Sequence, residues 1–272
     1  LLASKIKKRL PVSAVYRFPT ANDLADFTDR YDPAMSELID EFRFHFGEGD
    51  KVLYCFPPYG ATGIVYHTMS RFLKGYRLEC FNFLDGIDFV EEAVRILLPE
   101  SRKSPLILLG YSGGGNLAFE VAFEIEKYGG SIERLILIDS YRRMESVKVS
   151  RARHEQEMKK ILTSDEYTVF FPDSHSRNKA LQNGVAYAEY LCSVIEKGFV
   201  HAQIDVLRAH DDIPDPSRDR FGALRSRGKW SELTNATFHM IQGTGTHDEM
   251  LNEKNSLQNS ILIRQILEDC TT

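Results

Sequence analysis

The sequence is short of several features that would each have fixed its chemistry at once. Only four cysteines occur in 272 residues, at Cys55, Cys80, Cys192 and Cys270, and none forms a C-x-x-C pair. Thiols spaced this widely exclude a disulfide framework or a zinc ribbon. Three of them sit in apolar stretches, as small buried residues do, so a reducing, cytoplasmic compartment is expected. No metal-ligand spacing and no phosphate-cradling glycine loop is present. The longest apolar runs, Pro105–Gly110 and Leu135–Ile138, are far below the roughly 20 residues of a membrane-spanning helix. Positive charge is not in excess: 34 Lys and Arg against 39 Asp and Glu give a net charge of −5, which removes the electrostatic footprint of a nucleic-acid binder. Leu1–Lys8 is basic and amphipathic but lacks the apolar region and cleavage site of a signal peptide. Repeats and low-complexity tracts are absent.

What is present is length and alternation. A chain this long buries roughly three quarters of its unfolded surface, enough for a large core. Leu1–Leu10 carries Leu2, Ile6 and Leu10 on one helical face and stops at Pro11. Thr20 with Asp23 three residues on caps a second short helix bearing Leu24, Ala25 and Phe27. Two such helices bury little, so residues 1–30 have the character of the tail of a small helical domain. A charged linker over residues 31–50 follows. From Lys51 the pattern becomes strand, helix, strand: Lys51–Phe56, Ile64–Leu73, Tyr76–Phe83, Asp88–Leu98, Pro105–Tyr111, Asn116–Tyr128 and Ile132–Asp139. Apolar strands separated by helices predict an α/β fold, a mostly parallel sheet covered on both faces. Alternation stops at Ser140. Polar helical sequence with Tyr167, Phe170, Phe171, Tyr187 and Tyr190 fills the chain to about Val200, an insertion with the character of a lid. Strands resume at Gln203–Ala209 and Thr237–Gln242, and Ser256–Leu267 closes the chain as a helix.

Gly110-Tyr111-Ser112-Gly113-Gly114 is a G-x-S-x-G sequence in the setting that gives it meaning, after an apolar strand and before a helix. A serine on such a strained turn needs small neighbours, and Gly110, Gly113, Gly114 and Gly115 supply them. A serine hydroxyl is a weak nucleophile without a base. Of eight histidines, His247 suits best, in a loop after the last strand at the same sheet edge as Ser112. The carboxylate that orients such a histidine has two candidates by pattern: Asp139, at the end of the strand after the Ser112 helix, and the Asp211-Asp212 pair after the next strand. An oxyanion hole takes one N–H from Gly113 and one from the loop Phe56-Pro57-Pro58-Tyr59-Gly60. Both prolines lack an N–H, so Tyr59 is the first possible donor.

Together FPPYGATG, GYSGGGNLAFE, LILIDSYRR and GTHDEML resemble the thioesterase domain that ends nonribosomal peptide synthetases, over about residues 50–270. The resemblance implies an α/β-hydrolase fold with a helical lid at about 142–200. It implies acyl transfer of a peptide from a carrier-bound phosphopantetheine onto Ser112, with His247 as base and Asp139, in the I-D-S-Y motif, as acid. Release then follows by macrocyclisation or hydrolysis. Tyr59 and Gly113 fall on the oxyanion hole, and Pro58 and Arg143 are candidates for the substrate cavity. The thioesterase domain itself needs no cofactor. LLASKIKKRL with VYRFPTANDLADF resembles the back half of a peptidyl carrier domain, which places the phosphopantetheine-bearing serine just upstream of Leu1. The implied partners are that carrier and the synthetase modules in the same polypeptide. Gly113 stands where the family often has alanine. A stand-alone serine esterase or lipase of the same fold, or a free-standing editing thioesterase, is the alternative. Arg142 and Arg143 are expected to be a solvated basic pair.

Overall fold

The computed structural model describes Thr20, Asn22, Ala25 and residues 41–60, 62–163, 171, 174–210 and 227–268. The expected carrier-like segment, apart from its three isolated described residues, lies outside these, as do Asp211, Asp212, Cys270, Tyr167 and Phe170.

Apolar runs too short for helices become the strands of one sheet. They are β1 (Arg43–Phe46), β2 (Lys51–Phe56), β3 (Tyr76–Phe81), β4 (Leu106–Tyr111), β5 (Ile132–Ile138), β7 (Gln203–Arg208) and β9 (Phe238–Gln242). Their order is β1-β3-β2-β4-β5-β7-β9. All neighbours are parallel except β1, which runs antiparallel to β3. Two short strands, β6 (Arg142–Arg143) and β8 (Arg227–Gly228), pair separately. The central strands are buried almost throughout because helices cover both faces of the sheet. The fold is the α/β-hydrolase fold.

Helix α1 (His67–Ser70) follows a 3₁₀ turn at Gly63–Tyr66, and α2 (Phe89–Ser101) starts where Asp88 Oδ1 accepts the Glu91 N–H at 3.0 Å. Helix α3 (Gly113–Lys127) ends as its glycines predict: Gly129 takes φ +79° and the Gly130 N–H returns to the Ile125 carbonyl at 2.9 Å. Helices α4 (Arg151–Leu162) and α5 (Ser174–Ser193) make up the insertion, and α6 (Glu253–Glu268) closes the domain. Helices α2 and α3 pack together, as do α4 with α5 and α1 with α6.

The three cysteines among the described residues are free and buried. No helix there is long and apolar enough to cross a membrane. One expectation needs correction. The expected linker, residues 31–50, contains β1, whose Phe44 and Phe46 are buried and meet edge-to-face at 5.4 Å. The alternating R-F-H-F pattern is short and charged at its flanks, which hid it; pairing with β3 supplies the burial that its sequence alone does not announce. The sheet therefore begins at Arg43. Phe46→Ala is expected to destabilise the domain by about 3 kcal/mol, as loss of a buried phenylalanine does. A linker residue would leave the urea midpoint unchanged.

Candidate active site

Glycine sets the geometry at the end of β4. A Cβ on Gly110 would lie 2.2 Å from the Gly114 carbonyl oxygen, and one on Gly114 would lie 2.3 Å from that of Phe56. One on Gly115 would strike Ser140 Oγ at 2.2 Å. Helix α3 therefore starts in contact with the ends of β2, β4 and β5. The chain turns at Ser112 with φ +54° and ψ −124°, a region that L-residues avoid. The turn is fixed by the Ser112 N–H to the Ile138 carbonyl at 2.9 Å and the Gly115 N–H to the Ser112 carbonyl at 3.1 Å.

Asp139, at the end of β5, is the other non-glycine residue at positive φ among those described, at +38°. Two such residues cost about 1–3 kcal/mol each, a large part of the roughly 5–15 kcal/mol by which a domain is stable. Strain of that size persists where surrounding contacts impose it. The Asp139 N–H donates to the Leu207 carbonyl at 2.7 Å, and Asp139 Oδ1 accepts the Ala209 N–H at 3.2 Å.

These two strained residues meet at one histidine. His247 Nδ1 lies 2.6 Å from Asp139 Oδ2, and His247 Nε2 lies 3.0 Å from Ser112 Oγ. An ionised carboxylate can only accept, so it holds the imidazole proton on Nδ1 and leaves Nε2 to accept the serine O–H. Burial pushes the Asp139 carboxyl up, but the His247 hydrogen bond and charge, the Ala209 N–H and the Arg208 guanidinium together hold it below its ordinary value. Arg208 stands 3.6 Å from Asp139 Oδ1 and lies over the Tyr141 ring at 4.1 Å.

The histidine loop is built from both ends. Thr246 and Glu249 form a capping box around a 3₁₀ turn that starts at His247. Buried Asn259 of α6 accepts from the Thr244 N–H at 2.8 Å and donates to the carbonyls of Thr244 and Met250. The Tyr111 hydroxyl donates to the His247 carbonyl. Tyr66 bridges the fork between β2 and β4, donating to the Phe56 carbonyl at 2.6 Å and accepting the Tyr111 N–H at 2.9 Å. Of these supports only the T-x-x-E capping box had a sequence signature. Asn259 and Tyr66 sit in ordinary helical patterns, and nothing in those patterns marks them.

The structure thus brings Ser112, His247 and Asp139 together. Pro58, Tyr59 and Gly113 are all buried where the loop after β2 meets the start of α3. Arg143 and Arg142 are not the solvated pair that was expected. Arg143 is 4% exposed and its charge acts on Glu196, Tyr187 and Cys192. Arg142 pairs with Glu232 at 2.6 Å. Their strand pairing with β8 turned the sequence's two adjacent cations into the base of the insertion. Buried Glu196 accepts the Arg143 N–H at 2.5 Å and the Asn116 amide at 2.6 Å. No group of His, Cys, Asp and Glu that could hold a metal ion occurs among the described residues.

The thioesterase domain family model matches residues 51–269. The chain belongs to the thioesterase domain family. Bacitracin synthase 3 of Bacillus licheniformis is 28% identical over 258 residues, which are 93% of this chain and 4% of that protein. Surfactin synthase subunit 3 of Bacillus subtilis (strain 168) is 25% identical over 273 residues, 99% of this chain and 20% of the relative. The chain thus spans a small part of the curated relatives it matches. Among solved structures, the thioesterase domain SrfTE, described for the cyclisation of the lipopeptide antibiotic surfactin, superposes with a TM-score of 0.73 at 25% identity, covering 84% of this chain and 96% of that one. The NocB thioesterase domain of the nocardicin cluster shares the fold, with a TM-score of 0.59 at 20% identity over 84% of this chain and 99% of its own.

About two turns along α3 from Ser112, Glu120 lies on a partly buried face of the helix. Burial, and then the charges of Glu196 and Glu124, push its carboxyl from 4.5 up to about 7. A raised carboxyl favours folding below its unfolded value and loses that contribution as pH rises through about 7. Glu120→Gln is therefore expected to leave stability unchanged at pH 4 and to raise it at pH 8. The expected gain is about 1–2 kcal/mol after allowance for solvent screening, and urea titrations at the two pH values check it.

Proposed function

We propose that this thioesterase domain releases a peptidyl chain from a carrier-bound phosphopantetheine thioester in a nonribosomal peptide synthetase, through an acyl-enzyme on Ser112. The observation that carries the reading is the unbroken line from Asp139 through His247 to Ser112 Oγ, at 2.6 and 3.0 Å, in a chain of this family. The synthetase relatives supply the substrate class, and the likeness to SrfTE supports macrocyclisation alongside hydrolysis.

In the first half-reaction His247 Nε2 takes the Ser112 proton as Oγ attacks the thioester carbonyl carbon. The carbonyl electron pair moves onto oxygen, where the N–H groups of Tyr59 and Gly113 receive it beside the positive end of α3. Collapse breaks the C–S bond, and the proton on His247 passes to the departing thiol. In the second half His247 deprotonates either water or an amine or hydroxyl of the peptide itself, and the attack returns the proton to Ser112. Water yields an acid; an internal nucleophile yields a ring. Asp139 holds the Nδ1 proton and stabilises the imidazolium of each half.

Pro58 and Arg143 stand as cavity residues, under the insertion at about 142–200 acting as the lid. Residues 1–30 fit the back half of a peptidyl carrier, whose serine would bear the phosphopantetheine. The domain itself uses no cofactor, and its setting is the cytoplasm. Turnover of a tetrapeptidyl N-acetylcysteamine thioester, followed by intact mass, tests the proposal. Ser112→Ala is expected to lose the acyl adduct and at least about 10⁴-fold in rate. Asp139→Asn should fall by about 10⁴-fold, with Asp211→Asn and Asp212→Asn within about threefold of wild type. Full activity of Ser112→Ala sinks the assignment, equal losses at the three aspartates move the acid, and cleavage of p-nitrophenyl butyrate alone marks a plain esterase.

A further inference from the structure

Tyr187, on α5 of the insertion, is fully buried, and its hydroxyl donates to the Pro57 carbonyl at 2.8 Å. Its ring stacks on Phe83, with centroids 4.6 Å apart and planes 15° from parallel. The same hydroxyl lies 3.2 Å from where a Cβ on Gly113 would stand, and Leu191, one turn along α5, lies 2.6 Å from it. One side chain of the insertion thus touches both segments that carry the proposed oxyanion donors: the loop after β2 and the first residue of α3.

The Pro57 carbonyl is a lever on the Tyr59 N–H. Neither Pro57 nor Pro58 can donate, so the loop can be anchored through its carbonyls but not through N–H groups at those two positions. The Pro57–Pro58 peptide is planar, and the Pro58 ring holds its own φ near about −65°. Between the anchored carbonyl and the Tyr59 N–H only one soft rotation remains, ψ of Pro58. On the other side the Pro57 oxygen lies 2.9 Å from where a Gly114 Cβ would be, so it sits between the elbow helix and the tyrosine.

We propose that Tyr187 is a positioning residue for the oxyanion hole, holding the Pro57 carbonyl so that the Tyr59 N–H points at the reacting carbonyl. The insertion then acts as part of the catalytic frame as well as a cover. This rests on the reading of Ser112, Tyr59 and Gly113 given above. Tyr187→Phe would keep the stacking on Phe83 but lose the anchor on the Pro57 carbonyl.

The test compares Tyr187→Phe with wild type in turnover of the tetrapeptidyl N-acetylcysteamine thioester, together with inhibition by phenylboronic acid, whose serine adduct carries an oxygen in the hole. Complete loss of a hole donor costs about 10²–10³, so its misorientation is expected to lower kcat by about 5- to 50-fold, with KM within about twofold. Phenylboronic acid affinity should fall by the same factor, because a loss confined to structure would not track a transition-state mimic. Tyr190→Phe, which removes a hydroxyl from the same helix, should stay within about twofold of wild type. Should Tyr187→Phe fold poorly, Pro58→Ala leaves the tyrosine anchor in place but frees φ at 58, and is expected to show the same paired loss. Unchanged kcat in Tyr187→Phe or Pro58→Ala overturns the proposal, and so does a fall in kcat without a fall in boronate affinity. Retained turnover or boronate binding in Ser112→Ala would instead overturn the reading on which it rests, a separate and distinguishable result.

Discussion

Everything at this site depends on how closely the start of α3 approaches three strand ends. A Cβ at Gly110, Gly114 or Gly115 would come within 2.2–2.3 Å of its nearest neighbour, so no other residue type fits without moving backbone. Helix propensity argues against this arrangement. Three successive glycines in a first turn cost about 1 kcal/mol each relative to alanine, and the strained serine adds to that. Tertiary packing overrides propensity here because the close approach throws Ser112 outward at the helix N-terminus. An ordinary turn would bury that hydroxyl or aim it elsewhere. Asp139 answers the same constraint from the next strand, since its own positive φ turns a β5 carboxylate back over the sheet edge toward His247.

The insertion is bound to this frame at several points. At its stem the Arg143 and Glu196 backbones hydrogen bond, the Glu196 carboxylate accepts from Asn116 of α3, and the Val147 N–H reaches the Cys192 carbonyl at 2.8 Å. Further along, the Asp85 N–H donates to Asn183 at 3.0 Å and Tyr187 stacks on Phe83. Such contacts make α5 a fixed wall over the loop after β2. Gly113 fits this arrangement. A methyl there would lie 2.6 Å from Leu191, so Gly113 leaves the space that this side chain of α5 takes up.

Much of this could be read from sequence, for identifiable reasons. Strands β2, β4 and β5 are continuous apolar runs, and G-x-S-x-G acquires meaning from the strand before it and the helix after it. His247 followed from its place beyond the last strand. Pattern alone does not separate Asp139 from the Asp211-Asp212 pair, since both follow apolar runs in the sequence; the motif resemblance favours Asp139, which lies 2.6 Å from His247. Strand β1 was missed because four residues with two charged or polar positions carry little periodic signal until β3 pairs with them. Arg143 is illegible in the sequence for a related reason. Adjacent arginines look solvated in one dimension, and only the β6–β8 pairing and the buried Glu196 turn one of them inward. Supports such as Asn259 and Tyr66 are invisible in sequence because their roles come from long-range contacts.

The electrostatic balance explains why a carboxylate can stay ionised in so closed a place. Removing one charge from water costs several kcal/mol even after relaxation. The His247 hydrogen bond counters that cost most, followed by the Ala209 N–H and then the Arg208 guanidinium, 3.6 Å from Asp139 Oδ1. The Ala209 N–H and the His247 Nδ1–H both donate to the anion. Arg208 adds to these on the Oδ1 side. It cannot replace His247 as the partner of Oδ2, because it approaches the other oxygen and is itself held over Tyr141. The two oxygens divide the contacts: Oδ1 meets the Ala209 N–H and Arg208 from the scaffold, and Oδ2 is left to His247 Nδ1.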